Sequence, residues 1–402
     1  MKQTVRHGLG IALSAMAFLC NYSPWVREAT SLPDALTLTS GQKFVVQTGL
    51  PMLAASDGGT VSVLASQDER VTISAEAGGQ TSVTFSLLGL IPVHETRVNV
   101  VEERTLIPGG QAVGVALKTR GVLVGSDAAK GRALRAGDVI LSADGKNVES
   151  TKALSEQVGT AQTDTVRLEV LRGGQTITVD AQAEPDPSDG RRKLGVWVRD
   201  STAGVGTLTF YDPSTGKIAG LGHSISDIDT GSALTVKDGE IIFSDIIEIV
   251  KGEAGEPGAL KGTFETGEEV IGNIEKNTDF GIFGTFEGDA GVMGESIPAA
   301  SRDEVHTGDA ELLCTLDDEG VKSYHCTITK VTPQSSPDTK SFVIKIDDEE
   351  LLSKTNGIVQ GMSGSPVLQD GKLIGAVTHV FVDDPTQGYG IYIDWMLNEI
   401  AE

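Results

Sequence analysis

Apolar and polar positions alternate in six short runs near the start of the chain, at 36–39, 44–47, 61–64, 71–74, 83–86 and 96–100. A period of two broken by glycine and polar turns predicts strands with one buried face. The pattern predicts a small β-sandwich-like module over 34–104. No nucleophile stands beside a base in it, so its expected role is positional or adhesive. The texture then changes. Strand-like runs at 112–117, 121–124 and 166–171 surround a helical period at 152–158 and end at Pro185-Asp186-Pro187-Ser188-Asp189, a linker composition. These bound a second module at 105–188. From 189 to 402 short strands and turns resume, and 392–400 reads as a terminal helix. About 210 residues of this texture predict a mainly β domain of double-barrel type.

At the N-terminus Lys2, Arg6 and His7 precede an apolar run over 8–20. The run is shorter than the ~20 residues of a spanning helix. It predicts a signal peptide or a signal anchor over 1–30, and no small-x-small site decides between them. The positive flank predicts that the remainder is exported across the membrane. Composition narrows the partners. The 402 residues hold 56 Asp plus Glu against 32 Lys plus Arg, a net charge of −24. Such a surface repels phosphate backbones and excludes nucleic acid as a partner. Cys20, Cys314 and Cys326 are the cysteines. The last two flank an Asp317-Asp318-Glu319-Gly320 turn between two strands, so a disulfide and two reduced core thiols both stay open. A zinc site with His325 lacks a fourth ligand at any usual spacing, and neither metal nor cofactor is expected.

One short loop carries candidate chemistry. A serine hydroxyl becomes a useful nucleophile only with a base to take its proton and donors to hold the developing oxyanion. In Gly361-Met362-Ser363-Gly364-Ser365-Pro366 the backbone amides of Gly361 and Ser363 are the candidate donors, and Ser363 the nucleophile. A tight turn that merely satisfies backbone geometry is the plainer reading of six residues. Six histidines compete as base. His7 lies in the leader, His94 in the first module, His306 in a polar stretch, His325 beside a cysteine, and His379 on an apolar strand typical of a core histidine. His223 follows an apolar strand and two glycines in Gly220-Leu221-Gly222-His223, a context that seats an imidazole at a cleft. Asp227 and Asp229 after it read as a solvated loop. A carboxylate to orient the histidine is sought among Asp245, Asp347 and Asp348, and spacing does not choose.

Longer stretches resemble known families. The module at 105–188, with Leu134-Arg135-Ala136-Gly137-Asp138-Val139-Ile140, resembles a PDZ domain. That resemblance implies a site for a peptide C-terminus at the amides of Ala112, Val113, Gly114 and Val115, with the peptide adding to the sheet edge. The run over 357–397 around Ser363, with Gly220 to Ile225 and the PDZ-like module ahead, is similar to the stage IV sporulation peptidase B family, of trypsin-like fold. The similarity covers about 105–402 and places the family's nucleophile on Ser363, its histidine on His223 and its aspartate on Asp348. It implies an exported serine endopeptidase of endospore formation, capable of self-cleavage. Such an enzyme works in the intermembrane space of the forespore, by cleaving the extracytoplasmic part of a membrane complex. That cut triggers intramembrane processing of a mother-cell sigma factor. An aspartate only 15 residues before the serine departs from ordinary trypsin-like spacing and keeps Asp245 in competition. A non-catalytic PDZ-bearing scaffold is the alternative.

Overall fold

The computed structural model describes residues 32–401 except 49–51, 66–69, 102–103, 126–132, 228–230, 232, 268–269, 290–293 and 335. The leader with Cys20, and Asp229, lie outside the described residues. The chain divides into two compact units, at Arg104 and Thr105.

The first unit is a two-sheet sandwich. Strands β1 (Ala35–Thr39), β2 (Lys43–Gln47), β3 (Met52–Ser56), β4 (Val61–Ala65), β5 (Arg70–Ala75), β6 (Gly79–Leu87) and β7 (Ile91–Val101) form sheets in the orders β1-β7-β6-β3 and β2-β5-β4. The inward residues of alternating strands, Val71 and Ile73 from one sheet and Val83, Phe85 and Val98 from the other, share one buried cluster. This is the module the alternation predicts.

In the second unit β8 (Thr105–Pro108) and the long β9 (Ala112–Val124) come first, followed by β10 (Val139–Ala143) and β11 (Lys146–Asn147). Helix α1 (Thr151–Gly159) comes next, its Ser150 hydroxyl accepting from the Ala153 amide as N-cap. Strands β12 (Thr165–Arg172) and β13 (Gln175–Gln182), then the short β14 (Glu184–Pro185) and β15 (Arg192–Lys193), complete the PDZ-like part. Its core is separate: Val122, Ile140, Leu154, Val158, Val166, Leu168 and Val170 pack together. Strand β16 (Val198–Asp212) is a continuous run of 15 residues. Together with β17 (Lys217–Gly220) and β18 (Val236–Phe243) it carries the sheet onward.

Strand β9 overturns one expectation. Residues 112–115 are not at an open sheet edge; they lie mid-sheet, with β16 on one side (Val115↔Gly204 to Ala112↔Thr207) and β18 on the other (Val115↔Ile241 to Val113↔Phe243). Both edges are occupied, and Ala112, Val113 and Val115 are buried. Val113, Gly114 and Val115 therefore have ladder partners on both sides, which leaves no open edge there for a peptide strand.

The chain goes on through β19 (Asp245–Val250), β20 (Ala259–Thr263), β21 (Val270–Asn273), β22 (Lys276–Thr278), β23 (Gly281–Thr285) and β24 (Ile297–Pro298). The order β16-β17-β23-β22, with β18 joined to β9 and β21, makes the first half-barrel. Strands β25 (Gly308–Thr315), β26 (Val321–Val331), β27 (Phe342–Ile346), β28 (Pro366–Gln369), β29 (Lys372–Val380) and β30 (Gln387–Tyr392) close a second barrel in the order β25-β26-β27-β30-β29-β28. Helix α2 (Glu349–Thr355) precedes the Ser363 loop, and α3 (Ile393–Ala401) ends the fold. The chain is thus mainly β, with the double barrel, PDZ-like part and N-terminal module expected.

Cys314 and Cys326 are buried free thiols. They sit four residues out of register, Cys326 opposite Ala310 and Cys314 opposite Lys322. Burial raises both thiol pKa values, that of Cys326 to about 12, so they serve as core residues.

Candidate active site

The Ser363 loop is held from four sides. Met362 is fully buried in the second barrel's core, which fixes the loop's inward face and leaves Ser363 half-buried at the cleft. The Thr207 hydroxyl donates to the Gly361 carbonyl (2.7 Å) and the Thr207 amide to the Ser363 carbonyl (3.0 Å). Thr209 donates to the Gly364 carbonyl (2.8 Å), and the Gly364 amide to the Val377 carbonyl (2.8 Å). Glycine is required twice. Gly361 has φ +99°, and a Cβ on Gly364 would lie 2.2 Å from the Thr207 carbonyl oxygen.

The backbone amides of Gln360, Met362, Gly364 and Ser365 all donate within the fold, whereas those of Gly361 and Ser363 have no acceptor among the described residues. Unpaired amides at a fixed turn are what an oxyanion cradle needs. The Ser363 hydroxyl itself donates to the Thr378 carbonyl (2.9 Å).

His223 stands on the opposite wall. Leu221 and Gly222 both adopt positive φ after β17 and turn the chain so that the imidazole faces the cleft. The Leu221 amide donates to the Thr207 carbonyl (3.2 Å), so one threonine of β16 holds both the serine loop and the histidine turn. Beyond the histidine, Asn277 clasps Ile225 through both its amide and its carbonyl, at 2.7 and 2.8 Å. Asp227, read from sequence as solvated, is buried and paired with Arg199 of β16 at 3.2 Å.

His223 Nδ1 lies 2.8 Å from the Ser224 carbonyl. A carbonyl only accepts, so Nδ1 carries the proton and Nε2 keeps its lone pair, the tautomer a general base requires. Burial holds the His223 pKa below the ordinary imidazole value, because the charged form loses hydration there.

Among the described residues no carboxylate meets the His223 ring. Both oxygens of Asp348 are engaged by backbone amides, one by Leu351 as N-cap of α2 (3.0 Å) and one by His325 (3.2 Å). The expectation that Asp348 orients His223 is thereby corrected: Asp348 lies two residues beyond the end of β27 and caps the start of α2. Asp347 instead bonds His325 Nδ1 (2.5 Å) and the Thr327 hydroxyl (2.6 Å). Asp245 is exposed at the start of β19 and does not line the cleft.

Ser363, His223, Gly361 and Thr378 line one cleft of about 520 Å³ with residues 202–205 of β16. His379, read from sequence as a core residue, stands on its wall, ring centroid 5.1 Å from that of His223. Its pKa is lowered by partial burial and by the His223 and Lys340 charges. A second cleft, of about 630 Å³, lies between α1 and residues 192–198, where Leu154, Val158, Leu194, Val196 and Trp197 supply apolar lining.

A family profile described as SpoIVB peptidase S55 matches residues 190–397, more than half of the chain. The chain belongs to the SpoIVB peptidase S55 family. A PDZ profile matches 103–182. This S55 peptidase is accordingly a PDZ-containing serine peptidase. Similar solved structures include the active form of the Rv3671c protease of M. tuberculosis, at 14% identity, 50% of this chain, 74% of that chain and TM-score 0.28. The HtrA-type protease AlgW with a decapeptide is similar at 15% identity, 54% of this chain, 57% of that chain and TM-score 0.29. The PDZ domain of the SdrC-like protein Lmo2051 from Listeria monocytogenes is similar at 21% identity, 20% of this chain, 87% of that chain and TM-score 0.18. No curated protein matches the chain.

Proposed function

We propose that this S55 peptidase is an exported endopeptidase of endospore formation, working by acyl transfer with Ser363 as nucleophile and His223 as base and then acid. The observation that carries the chemistry is the meeting of Ser363, His223 and two unpaired amides on one cleft. In this reading a bound peptide carbonyl enters the cradle of the Gly361 and Ser363 amides. The hydroxyl leaves the Thr378 carbonyl, transfers its proton to His223 Nε2 and attacks. His223 then gives the proton to the leaving amine, and water completes hydrolysis by the same path. The Ser224 carbonyl takes the place of a carboxylate in fixing the imidazole.

Membership of a family named for sporulation supports the wider setting: a substrate in the extracytoplasmic part of a membrane complex, whose cleavage triggers intramembrane processing of a mother-cell sigma factor. Export into the intermembrane space of the forespore, anchoring by the apolar run at 8–20 and self-cleavage belong to the same proposal. Among the described residues no helix is long and apolar enough to cross a membrane. A peptide C-terminus is assigned to the α1 cleft rather than to 112–115. Residues 198–199 and 201–202 pair with β9, and the α1 cleft flanks the start of β16. The test is to incubate the full chain with the extracytoplasmic domain of the complex and map products by mass spectrometry. A cut made by the native chain and absent with Ser363→Ala supports the proposal; no cut, or equal cutting by the variant, overturns it.

The resting bond from Ser363 to Thr378 favours a second reading, a peptide-binding scaffold without turnover. That reading predicts peptide binding with no cut.

A further inference from the structure

The first unit exposes aliphatic side chains at one end. At the β6–β7 turn Leu88, Leu90 and Ile91 are 62%, 83% and 60% exposed, and Leu53, whose Cδ1 would lie 2.8 Å from a Cβ on Gly89, is 52% exposed. Leu88 adopts φ +53°, a conformation costly for a bulky side chain and natural for Gly or Asn. The turn thus forgoes a residue better suited both to the backbone and to water. No charged residue occurs from Ala77 to Val93 in a chain of net charge −24.

The strand register shows which way this end faces. Strand β1 runs parallel to β7, with Ala35 opposite Arg97. Traced backwards, the chain passes Thr96, whose hydroxyl donates to the Pro33 carbonyl (2.7 Å), and His94, whose Nε2 meets the same oxygen at 3.1 Å. Toward lower numbers it therefore heads for Ile91 and the aliphatic tip. His94 and Leu90 are four residues apart, ~13 Å along a strand. The link from Cys20 to Leu32 spans at most ~40 Å fully extended.

We propose that this tip dips into the bilayer that holds the N-terminal apolar run, so that the first unit is seated on the membrane surface. The proposal rests on the anchoring reading above. A lipid surface fits better than a protein partner because the tip is a hairpin turn rather than a groove, is purely aliphatic, and lacks the Tyr, Trp and Arg that anchor protein interfaces. Its freedom from charge lets it approach lipid where the rest of the acidic surface is repelled.

The test uses the full chain with Cys20→Ser, reconstituted into phosphatidylcholine–phosphatidylglycerol vesicles. A polarity-sensitive fluorophore is placed on Leu90→Cys or, at the other end of β6, on exposed Gln80→Cys; the buried Cys314 and Cys326 stay unlabelled. The expected result is that the protein floats with the vesicles and the probe at 90 shifts to the blue. Nitroxides on the lipid chains quench it, and the probe at 80 does neither. A chain that floats with its probe at 90 unquenched overturns the tip assignment alone. A chain that does not float overturns the anchoring reading and the tip assignment with it.

Discussion

Ser363 and His223 face one cleft, yet different kinds of structure hold them. The serine loop is fixed by Met362 in the barrel core, by hydrogen bonds from Thr207, Thr209 and Gly364, and by glycines without room for a side chain. The histidine is oriented by a carbonyl one residue along its own chain, and its turn is tied at Leu221 and Ile225. In the proposed mechanism the oxyanion cradle would thus be built before substrate arrives, whereas His223 has a fixed tautomer but no charged partner among the described residues. Thr207 touches both sides and couples them.

The largest break in this comparison comes from either chemical group. Ser363→Ala and His223→Ala are each expected to lower kcat by about 10⁴-fold or more, measured on the mapped substrate, with the thermal transition unchanged. A His223→Ala variant within tenfold of the native rate would show that the serine has another base. Next is Thr207→Val, which keeps the shape but removes the hydroxyl from Gly361. It is expected to reduce kcat by about 10- to 100-fold with KM little changed, and Thr207→Ser to restore it. Equal losses in both variants would assign Thr207 a packing role instead.

Asp348 sharpens the comparison from the other side. Because its oxygens accept from the Leu351 and His325 amides, Asp348→Asn is expected to change kcat only a few-fold, and Asp348→Ala to cost about 1 kcal/mol of stability by denaturant unfolding. A loss near 10⁴-fold in the Asn variant would restore it as the orienting carboxylate. The smallest effect is a shift in pH. The His223 pKa is lowered in the fold, so the base stays neutral to lower pH than an exposed imidazole. The acid limb of kcat/KM is expected below the ordinary imidazole value near 6.5, with activity lost as pH falls through it. A limb above that value would mean a carboxylate stabilises the imidazolium in the working enzyme.

The serine loop, the histidine turn and the terminal helix were legible because each is specified locally: glycines at fixed offsets, an apolar approach strand, a 3.6-residue period. Asp348 was legible in principle, since an aspartate followed by Glu349, Glu350 and Leu351 is a helix start, but the resemblance drew it to the histidine. Residues 112–115 were misplaced because their partners on β16 and β18 lie some 90 to 130 residues away, and no local pattern records both edges of a strand. The same distance hid Thr207, whose neighbours Gly361 and Ser363 come about 150 residues later. His379 reads as core because its strand is apolar on both sides, while the cleft that exposes it is shared between the two barrels and depends on residues over 150 positions away.

The most direct test of the central claim is covalent. The purified chain is treated with a fluorophosphonate and the adduct located by mass spectrometry, alongside His223→Ala and Asp348→Asn. The account predicts a single adduct on Ser363, slowed by orders of magnitude without His223 and little changed without the Asp348 carboxylate. An unlabelled native chain, or an adduct on another serine, would contradict it.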